Sequence, residues 1–357
     1  MGDVETTVSR GDMVTEVRQK FADWATQTIR LRKGSDLVEL EWTVGPIPID
    51  DEMGKEVISK FETDLDSQEL IYTDANGREF QERLKNYRPT WDLRNGNGES
   101  EPVGGNYYPI TAGAYIKDDQ KGLQLSILTD RAQGGASLAS GQMEFMVHRR
   151  LLADDSRGVA EALNETVGGM DPYPTWERKG DGIVVSGTHY LLLSDVSDAM
   201  KETRAAMDTV YQQLHTFYGK YTGDAGSNPL PPIKTMLPLS YDLPINVQLN
   251  TFETWSPNVL LVRLAHQFAI DEDSELSAPV DIDLAALLSR YQIKSIVEMS
   301  LSANQEKDAM LANKIQWNTK DDKSKGATIR SPASMTRSSD TIVTLNAMEI
   351  KTFMVHV

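Results

Sequence analysis

The sequence predicts a mainly β protein that is divided into two β domains. Several segments alternate apolar and polar residues with a period of two, which is typical of half-buried strands. A turn dipeptide, Asn76-Gly77, separates two of these segments, and a proline-rich stretch lies in the second half of the chain. With 357 residues, the chain is long enough for more than one domain with its own apolar core.

The N-terminal half contains strand patterns that are interrupted by turn residues. Residues 37–44 (LVELEWTV) alternate apolar and acidic side chains and stop at Gly45 and Pro46, which indicates a strand followed by a turn. Asn76-Gly77 predicts a β-hairpin, because both residues tolerate positive φ. Residues 94–105 (RNGNGESEPVGG) have the composition of a loop.

The stretch 128–163 predicts a strand, a glycine turn, a second strand and a charged loop. Residues 123–127 and 143–147 alternate, and we expect them to form a hairpin or a neighbouring strand pair around Gly134, Gly135 and Gly141. The loop at 154–158 (DDSRG) combines two carboxylates, an arginine and a glycine, so it can hold a fixed shape. From spacing alone, however, a solvated rim is the simpler interpretation.

The remaining segments predict one helix, a connector and a second β domain. Residues 195–220 place six apolar side chains near one helical face, although a helix followed by a strand fits as well. We expect a large β domain at 1–228, a proline-rich connector at 229–244 and a smaller β domain at 245–357. Four strand-like runs and a short helix at 284–290 fall in the last domain, and 320–340 has the composition of an exposed loop. The helical residues are Ala199, Met200, Met207, Val210, Leu214 and Phe217.

Composition excludes several classes of function. A net charge of -17 argues against nucleic-acid binding, which needs clustered Lys and Arg. The absence of Cys excludes disulfides, thiol nucleophiles and Cys-ligated zinc. We expect no membrane partner, since no stretch approaches the roughly 18 apolar residues of a membrane span. Asn164-Glu165-Thr166 is a glycosylation sequon if the chain follows the secretory route.

No self-contained active site is visible in the residues. The five histidines lie far apart in the sequence and form no tight ligand pair, so a metal site built by this chain alone is not expected. No GxSxG, Walker or GxGxxG motif occurs in a suitable context. Acid pairs such as Asp118-Asp119 fit a charged surface, and Trp42, Trp91 and Trp176 fit buried strand aromatics better than sugar-stacking platforms.

Several segments together resemble the C-terminal half of the class II α-mannosidases, glycoside hydrolase family 38, of the acidic lysosomal and plant vacuolar type. The likeness extends to the smaller subunit of plant seed enzymes whose precursor is cut in two. It covers nearly the whole chain in order, although residues 168–187 match no family segment. The matching words include ELEWTVGPIP, YTDANGREFQER, NYRPTWDL, LTDRAQGGASL, MVHRRLLADDSRGV, VRLAHQFAIDEDSELSAPV and NAMEIKTF.

The resemblance implies a fold, an activity and separate roles for two polypeptides. The fold would be a large mutarotase-like β super-sandwich followed by a smaller β-sandwich. The activity would be that of a retaining exo-α-mannosidase acting on terminal mannose of N-glycans, through a covalent glycosyl-enzyme intermediate. The zinc ion and the catalytic carboxylates would lie on an N-terminal catalytic subunit, so this chain would carry no catalytic or metal-binding residue and would be inactive alone.

The resemblance also implies a site, partners and a location. Arg157 would line the sugar pocket, and Asp155 and Gly158 would shape its loop. The partners would be the N-terminal subunit and mannose-terminated N-glycans, with the heterodimer assembling further. The compartment would be the vacuole or lysosome. A stand-alone carbohydrate-binding β-sandwich is the alternative, which rests on fold analogy alone.

Overall fold

The protein is described here by a computed structural model that covers two compact units. These are Met1–Gln213, called unit 1, and Leu214–Val357, called unit 2. Both units are mainly β, which confirms the predicted fold class. The predicted domain boundaries stay a prediction, since most of the connector at 229–244 lies outside the described residues. The structure describes residues 4–90, 101–154, 156, 158, 160, 162–167, 181–219, 239–315 and 341–357.

Unit 1 is a sandwich of two antiparallel sheets. The larger sheet has nine strands in the order β1-β2-β3-β4-β13-β10-β9-β6-β7, and the smaller one has four in the order β5-β12-β11-β8. The strands are β1 (Glu5–Arg10), β2 (Val14–Ala22), β3 (Ala25–Arg32), β4 (Val38–Val44), β5 (Lys55–Glu62), β6 (Leu70–Ala75), β7 (Glu79–Leu84), β8 (Tyr108–Ile110), β9 (Gly113–Asp118), β10 (Leu123–Thr129), β11 (Gln133–Ala136), β12 (Gln142–Arg150) and β13 (Val185–Asp195).

The core of unit 1 lies between the two sheets. Ile116 and Ile127 of the larger sheet form one apolar cluster with Met143 and Phe145 of the smaller sheet, and all four side chains are almost fully buried. The period-2 alternation therefore marks the strand faces that meet in the core. The strand at 37–44 is confirmed as β4.

The predicted hairpin around Asn76 is confirmed. Strands β6 and β7 pair with Ala75 opposite Glu79, and Asn76 and Gly77 both have positive φ. Asp74 stabilises this turn, because its Oδ2 accepts a hydrogen bond from the Gly77 amide at 2.6 Å. Its Oδ1 accepts from three consecutive backbone amides before and at the start of β9, at 2.8–3.1 Å. We call Asp74 and these four amides the Asp74 staple.

The predicted pairing of residues 123–127 with 143–147 as a hairpin or neighbouring strand pair is wrong. Strand β10 belongs to the larger sheet and β12 to the smaller one, so the two segments lie in opposite layers of the sandwich. Gly134 and Gly135 are not turn residues either, because both lie within β11. A Cβ at Gly135 would lie 2.3 Å from the side chain of Ile110, so glycine is needed there for close packing.

The predicted helix is confirmed but is shorter than its pattern. Helix α1 (Ala199–Tyr211) buries Ala199, Met207 and Val210. Leu214 and Phe217 follow the helix and are 97% and 89% exposed, so they do not extend its apolar face. Among the described residues, the helices lack the length and apolar character that a membrane crossing requires.

The first three strands were not foreseen, and they give the larger sheet two unlike faces. One face carries a row of ion pairs in which Glu16 accepts from Arg18 and Arg30, and Arg32 bonds Glu39. The opposite face of the same strands carries apolar side chains, which alternate with these charges along each strand, together with polar ones such as Gln19 and Gln27. The apolar side chains include Val8, Val17, Ile29, Leu31, Val38 and Leu40, in register across β1 to β4.

Gly187 allows one large side chain to enter the sandwich. It lies opposite Trp42 across β13 and β4, and a Cβ at this position would lie 2.3 Å from the indole ring. Trp42 is only 3% exposed, in agreement with its interpretation as a buried strand aromatic. The indole therefore fills space that a side chain on β13 would otherwise occupy.

Unit 2 is built on a four-stranded antiparallel sheet in the order β14-β15-β19-β17, with a two-stranded ladder of β16 and β18. Three of the four predicted strand runs are confirmed, and the fourth, at 341–357, forms two strands, β18 and β19. The short helix predicted at 284–290 is present but covers only 284–287. Asp283 caps that helix by accepting from the amides of Ala285 and Ala286. The elements are β14 (Val247–Ser256), β15 (Val259–His266), β16 (Val280–Asp283), α2 (Leu284–Leu287), β17 (Ser295–Met299), α3 (Lys307–Ala312), β18 (Ile342–Leu345) and β19 (Ile350–His356).

Candidate functional site

The candidate loop begins where β12 ends, at Arg150. This side chain is 6% exposed, and its Nη1 donates to the carbonyl of Ile47 at 3.0 Å. A Cβ at Gly182 would lie 2.9 Å from the same Nη1, so the guanidinium packs closely against backbone. The bonds of Arg150 therefore fix the start of the loop to the body of unit 1.

Only part of the loop itself is described. The amide of Ser156 donates to Asp154 Oδ2 at 2.8 Å, and Ser156 has a φ of 58°, which is a left-handed conformation. Gly158 has a φ of 156°, and no atom of the described residues lies within 4 Å of where its Cβ would be. Asp155 and Arg157 lie outside the described residues. The assignment of Arg157, Asp155 and Gly158 to the sugar pocket thus stays a prediction.

The exit of the loop returns to the same part of unit 1. Leu163 accepts a long backbone hydrogen bond from Leu151, with 3.5 Å between the nitrogen and oxygen atoms. Thr166 forms a bridge with Gly182, the residue that packs on Arg150. The residues before and after the loop are therefore held against the same part of unit 1. Asn164, the predicted glycosylation residue, is half-buried just before this bridge.

A buried histidine lies in the interior of the sandwich. His189 on β13 is 1% exposed and is surrounded by the rings of Trp42, Phe61 and Phe145, whose centroids lie 5.2–6.1 Å from its own. Its Nε2 bonds Oε1 of Gln133 at 2.8 Å. Burial lowers the pKa of His189 from 6.5 to about 4, because the charged imidazolium would lose its hydration there.

Several buried polar atoms around His189 have no hydrogen-bond partner among the described residues. They are His189 Nδ1, the second amide atom of Gln133, the indole nitrogen of Trp42 and the hydroxyl of Thr129, which lies opposite His189 on β10. We call these four residues the His189 cluster. A set of donors and acceptors left over in a protein interior is typical of a place that holds ordered water. No motif in the sequence signals this cluster, because its members come from four different strands.

The other sequence candidates fall into structural roles. Among the described residues, no group of three or more His, Asp or Glu side chains is arranged to hold a metal ion. His266 is fully buried, and its Nδ1 accepts from the Phe268 amide while its Nε2 bonds the Ala278 carbonyl. Trp91 and Trp176 lie outside the described residues.

Asp118 is not the surface acid that its pairing with Asp119 suggested. It is 2% exposed and accepts backbone amides of Asp66, Gln120 and Lys121 at 2.9 Å. The Asp66 and Lys121 amides are the leading causes that lower the pKa of this carboxyl group. Asp118 thus serves a turn and shows no sign of acid/base chemistry.

Comparison with known proteins connects both units to one family. Residues 2–157 match the glycosyl hydrolases family 38 C-terminal domain, and residues 246–353 match the glycosyl hydrolases family 38 C-terminal beta sandwich domain. The second match agrees with the smaller β-sandwich expected in unit 2.

Curated relatives cover nearly the whole chain. Lysosomal α-mannosidase of Bos taurus is 41% identical over 360 residues, which is 99% of this chain and 33% of the relative. The α-mannosidase of Canavalia ensiformis, the jack bean, is 36% identical over 351 residues, 98% of this chain and 34% of the relative. The chain therefore spans about a third of the length of the relatives it matches.

A solved structure supports the fold alone. An α-mannosidase from Enterococcus faecalis V583 superposes with a TM-score of 0.59 at 12% identity, over 98% of this chain and 35% of that one. The order of the two family domains and the identity of 36–41% to lysosomal and plant enzymes agree with the segments quoted from the sequence. The chain belongs to glycoside hydrolase family 38, the class II α-mannosidases, and corresponds to the C-terminal part of its members.

Proposed function

We propose that this chain is the C-terminal, smaller subunit of a retaining exo-α-mannosidase that removes terminal α-linked mannose from N-glycans. Zinc and the catalytic carboxylates would be held by an N-terminal polypeptide, while this chain supplies the β scaffold and one pocket-lining loop. The observation that supports this most directly is the match of 99% of the chain to only a third of a lysosomal α-mannosidase. The lysosome or vacuole is the corresponding compartment.

The anchored base of the loop supports the proposed role of residues 154–158. Arg150 and the Thr166–Gly182 bridge tie the described residues on both sides of the loop to unit 1. Within the loop, the Ser156 amide donates to Asp154. Residues that are already held in place lose little conformational entropy when a ligand binds. The chemistry of bond cleavage would belong to groups on the other polypeptide.

The first experiment measures hydrolysis of an aryl α-mannoside by this chain alone and after co-expression with the N-terminal polypeptide of the same enzyme. We expect activity only in the co-expressed sample, together with bound zinc and co-purification of the two polypeptides. Full turnover by the isolated chain would contradict the assignment of the catalytic groups to the N-terminal polypeptide. Absence of co-purification would contradict the subunit role.

The second experiment tests the loop in the assembled enzyme. We expect Arg157→Ala to lower kcat/KM by about tenfold, the size of one lost charge-assisted contact, with zinc content unchanged. Gly158→Val tests the backbone conformation of the loop separately, because it restricts the backbone dihedral angles at position 158 and keeps Arg157. The control is Arg149→Ala at the end of β12, which is exposed. Equal kinetics for wild type and both loop variants would refute the pocket assignment.

One observation favours the alternative of a stand-alone carbohydrate-binding module. Trp255 in unit 2 is 54% exposed and is the extra residue between Thr254 and Ser256, where β14 slips its register against β15. Such bulges re-aim a side chain, and exposed indole rings stack on sugars. Titration of mannose oligosaccharides onto the isolated chain decides this. Binding that is lost in Trp255→Ala would support the module, and no binding would leave the subunit role.

A further inference from the structure

An apolar groove lies on the larger sheet of unit 1, near the end of the sandwich where β13 finishes. Its floor is formed by five aliphatic side chains, and its volume is about 500 Å³. Leu193, on the floor, is 60% exposed in the described part of the chain. The floor residues are Val38, Leu123, Leu125, Leu191 and Leu193. We call this feature the Leu193 groove.

The groove continues a single face of the sheet. Leu191 lies opposite Val38, and Val38 lies opposite Leu31, so these three side chains project from the same side of neighbouring strands. Leu31 is itself 50% exposed. The apolar side chains of β3 and β4 thus lead into the groove, whereas the opposite face of these strands carries ion pairs such as Arg30 with Glu16. Exposed apolar side chains next to a groove are suited to a partner.

The rim of the groove is acidic. Asp36, Asp195, Asp198 and Glu202 line it together with the aliphatic floor, and none of its described lining residues is Lys or Arg. One rim residue is held in place, since the Ser194 hydroxyl donates to Glu202 at 2.5 Å. An aliphatic floor bordered by four carboxylates complements a segment whose apolar side chains are flanked by Lys or Arg.

A second copy of this chain does not fit the rim. In a symmetric dimer the same patch would face itself, so the four rim carboxylates would meet four others. The chain also carries a net charge of -17, which adds to the repulsion between copies. Charge therefore favours a different polypeptide as the occupant.

We propose that the Leu193 groove is the docking surface for the N-terminal polypeptide of the α-mannosidase, through an apolar segment of that polypeptide flanked by basic side chains. This rests on the proposed function, which requires such a partner. Relatives at 36–41% identity contain about twice as much polypeptide beyond the part matched here. The interface core would be the aliphatic floor, and the rim would supply steering and orientation.

The test co-expresses the N-terminal polypeptide with wild type, Leu193→Asp or the paired variant Asp195→Lys/Asp198→Lys. We expect Leu193→Asp to weaken association at least tenfold, measured by titration calorimetry. The paired variant should also bind more weakly and should lose the salt dependence of the wild-type affinity. The matched control is Leu301→Asp, since Leu301 lies in unit 2 and is 58% exposed. Unfolding midpoints of all variants show whether they fold.

A photo-crosslinking residue at position 193 gives a readout that does not depend on destabilising the protein. We expect the crosslink to map to a Lys- or Arg-flanked apolar segment of the N-terminal polypeptide. If wild type associates but Leu193→Asp binds equally well and the crosslink maps nowhere on that polypeptide, the groove assignment is overturned and the subunit role stands. A crosslink to a second copy of this chain also overturns it. If wild type does not associate at all, both proposals fail.

Discussion

The two buried polar groups of unit 1, the Asp74 staple and the His189 cluster, differ in how completely they are satisfied. Both Asp74 oxygens accept backbone amides, four in all. His189 is more deeply buried than Asp74, at 1% against 5% exposure, yet within the described part of the chain its Nδ1 has no hydrogen-bond partner. The staple therefore contributes stability directly, whereas the cluster makes stability depend on protonation and on whatever water it holds.

The largest expected effect is at the staple. Asp74→Ala leaves four backbone N–H groups without their acceptor, three of them next to β9, and should lower the free energy of unfolding by about 4 kcal/mol. Urea denaturation of the chain at neutral pH measures this. Asp119→Ala is the matched control, because that carboxylate is 71% exposed and bonds only Lys117 among described side chains. It should change stability by less than about 0.5 kcal/mol. Equal losses of unfolding free energy in Asp74→Ala and Asp119→Ala would contradict a stabilising role of the Asp74 staple.

The next effect is the pH dependence that His189 introduces. Its pKa is lower in the folded state, about 4 against 6.5, so the unfolded state binds more protons between these values. The contribution of the neutral His189 to folding stability is therefore fully present above pH 6.5 and is lost as the pH falls towards about 4. At pH 4.5 the loss is roughly 2–3 kcal/mol, from 1.36 kcal/mol for each pKa unit.

Urea unfolding at pH 7 and pH 4.5 checks this contribution. His189→Gln keeps a side chain that can bond Gln133 but does not titrate. The difference in the free energy of unfolding between pH 7 and pH 4.5 should therefore be smaller by the contribution of His189. His215→Gln is the control, because His215 is exposed. A pH dependence equal to that of wild type in His189→Gln would contradict the buried, neutral imidazole.

The smallest effect compares two buried threonines. The Thr203 hydroxyl bonds Ser126 Oγ at 3.0 Å, whereas the Thr129 hydroxyl of the His189 cluster has no partner in the portion of the protein that the structure describes. Both side chains are at most 1% exposed. Thr203→Val should cost about 1 kcal/mol, while Thr129→Val should be neutral within about 0.5 kcal/mol. A cost at Thr129 as large as that at Thr203 would indicate an ordered water that the hydroxyl binds.

Secondary structure that depends on local patterns was predicted correctly from the sequence, whereas the assignment of strands to the two sheets was not. The alternation in residues 37–44 and the Asn76-Gly77 turn are local signals, and both gave the correct element. Whether the strands at 123–127 and 143–147 share a sheet depends on long-range pairing, so alternation could not decide it. Gly135 was misread as a turn residue because the need for glycine there depends on the side chain of Ile110, which lies on another strand of the same sheet.

The candidate site was less accessible to sequence reasoning than the fold. Residues 154–158 were found through the family likeness, and composition alone favoured a solvated rim. The loop's anchor at Arg150 carries no signal in the sequence, since its partner carbonyl on Ile47 lies 103 residues away. The same is true of the Leu193 groove, whose floor comes from three strands that meet only in the folded sheet.

The close approach of Gly187 and Trp42 has a consequence for how this protein can vary. Because the indole occupies the space in front of Gly187, an alanine there displaces the ring and with it the aromatic wall against His189. A side chain at position 187 is therefore expected to occur among homologues together with a residue smaller than tryptophan at position 42. Gly187→Ala combined with Trp42→Phe should then be better tolerated than Gly187→Ala alone.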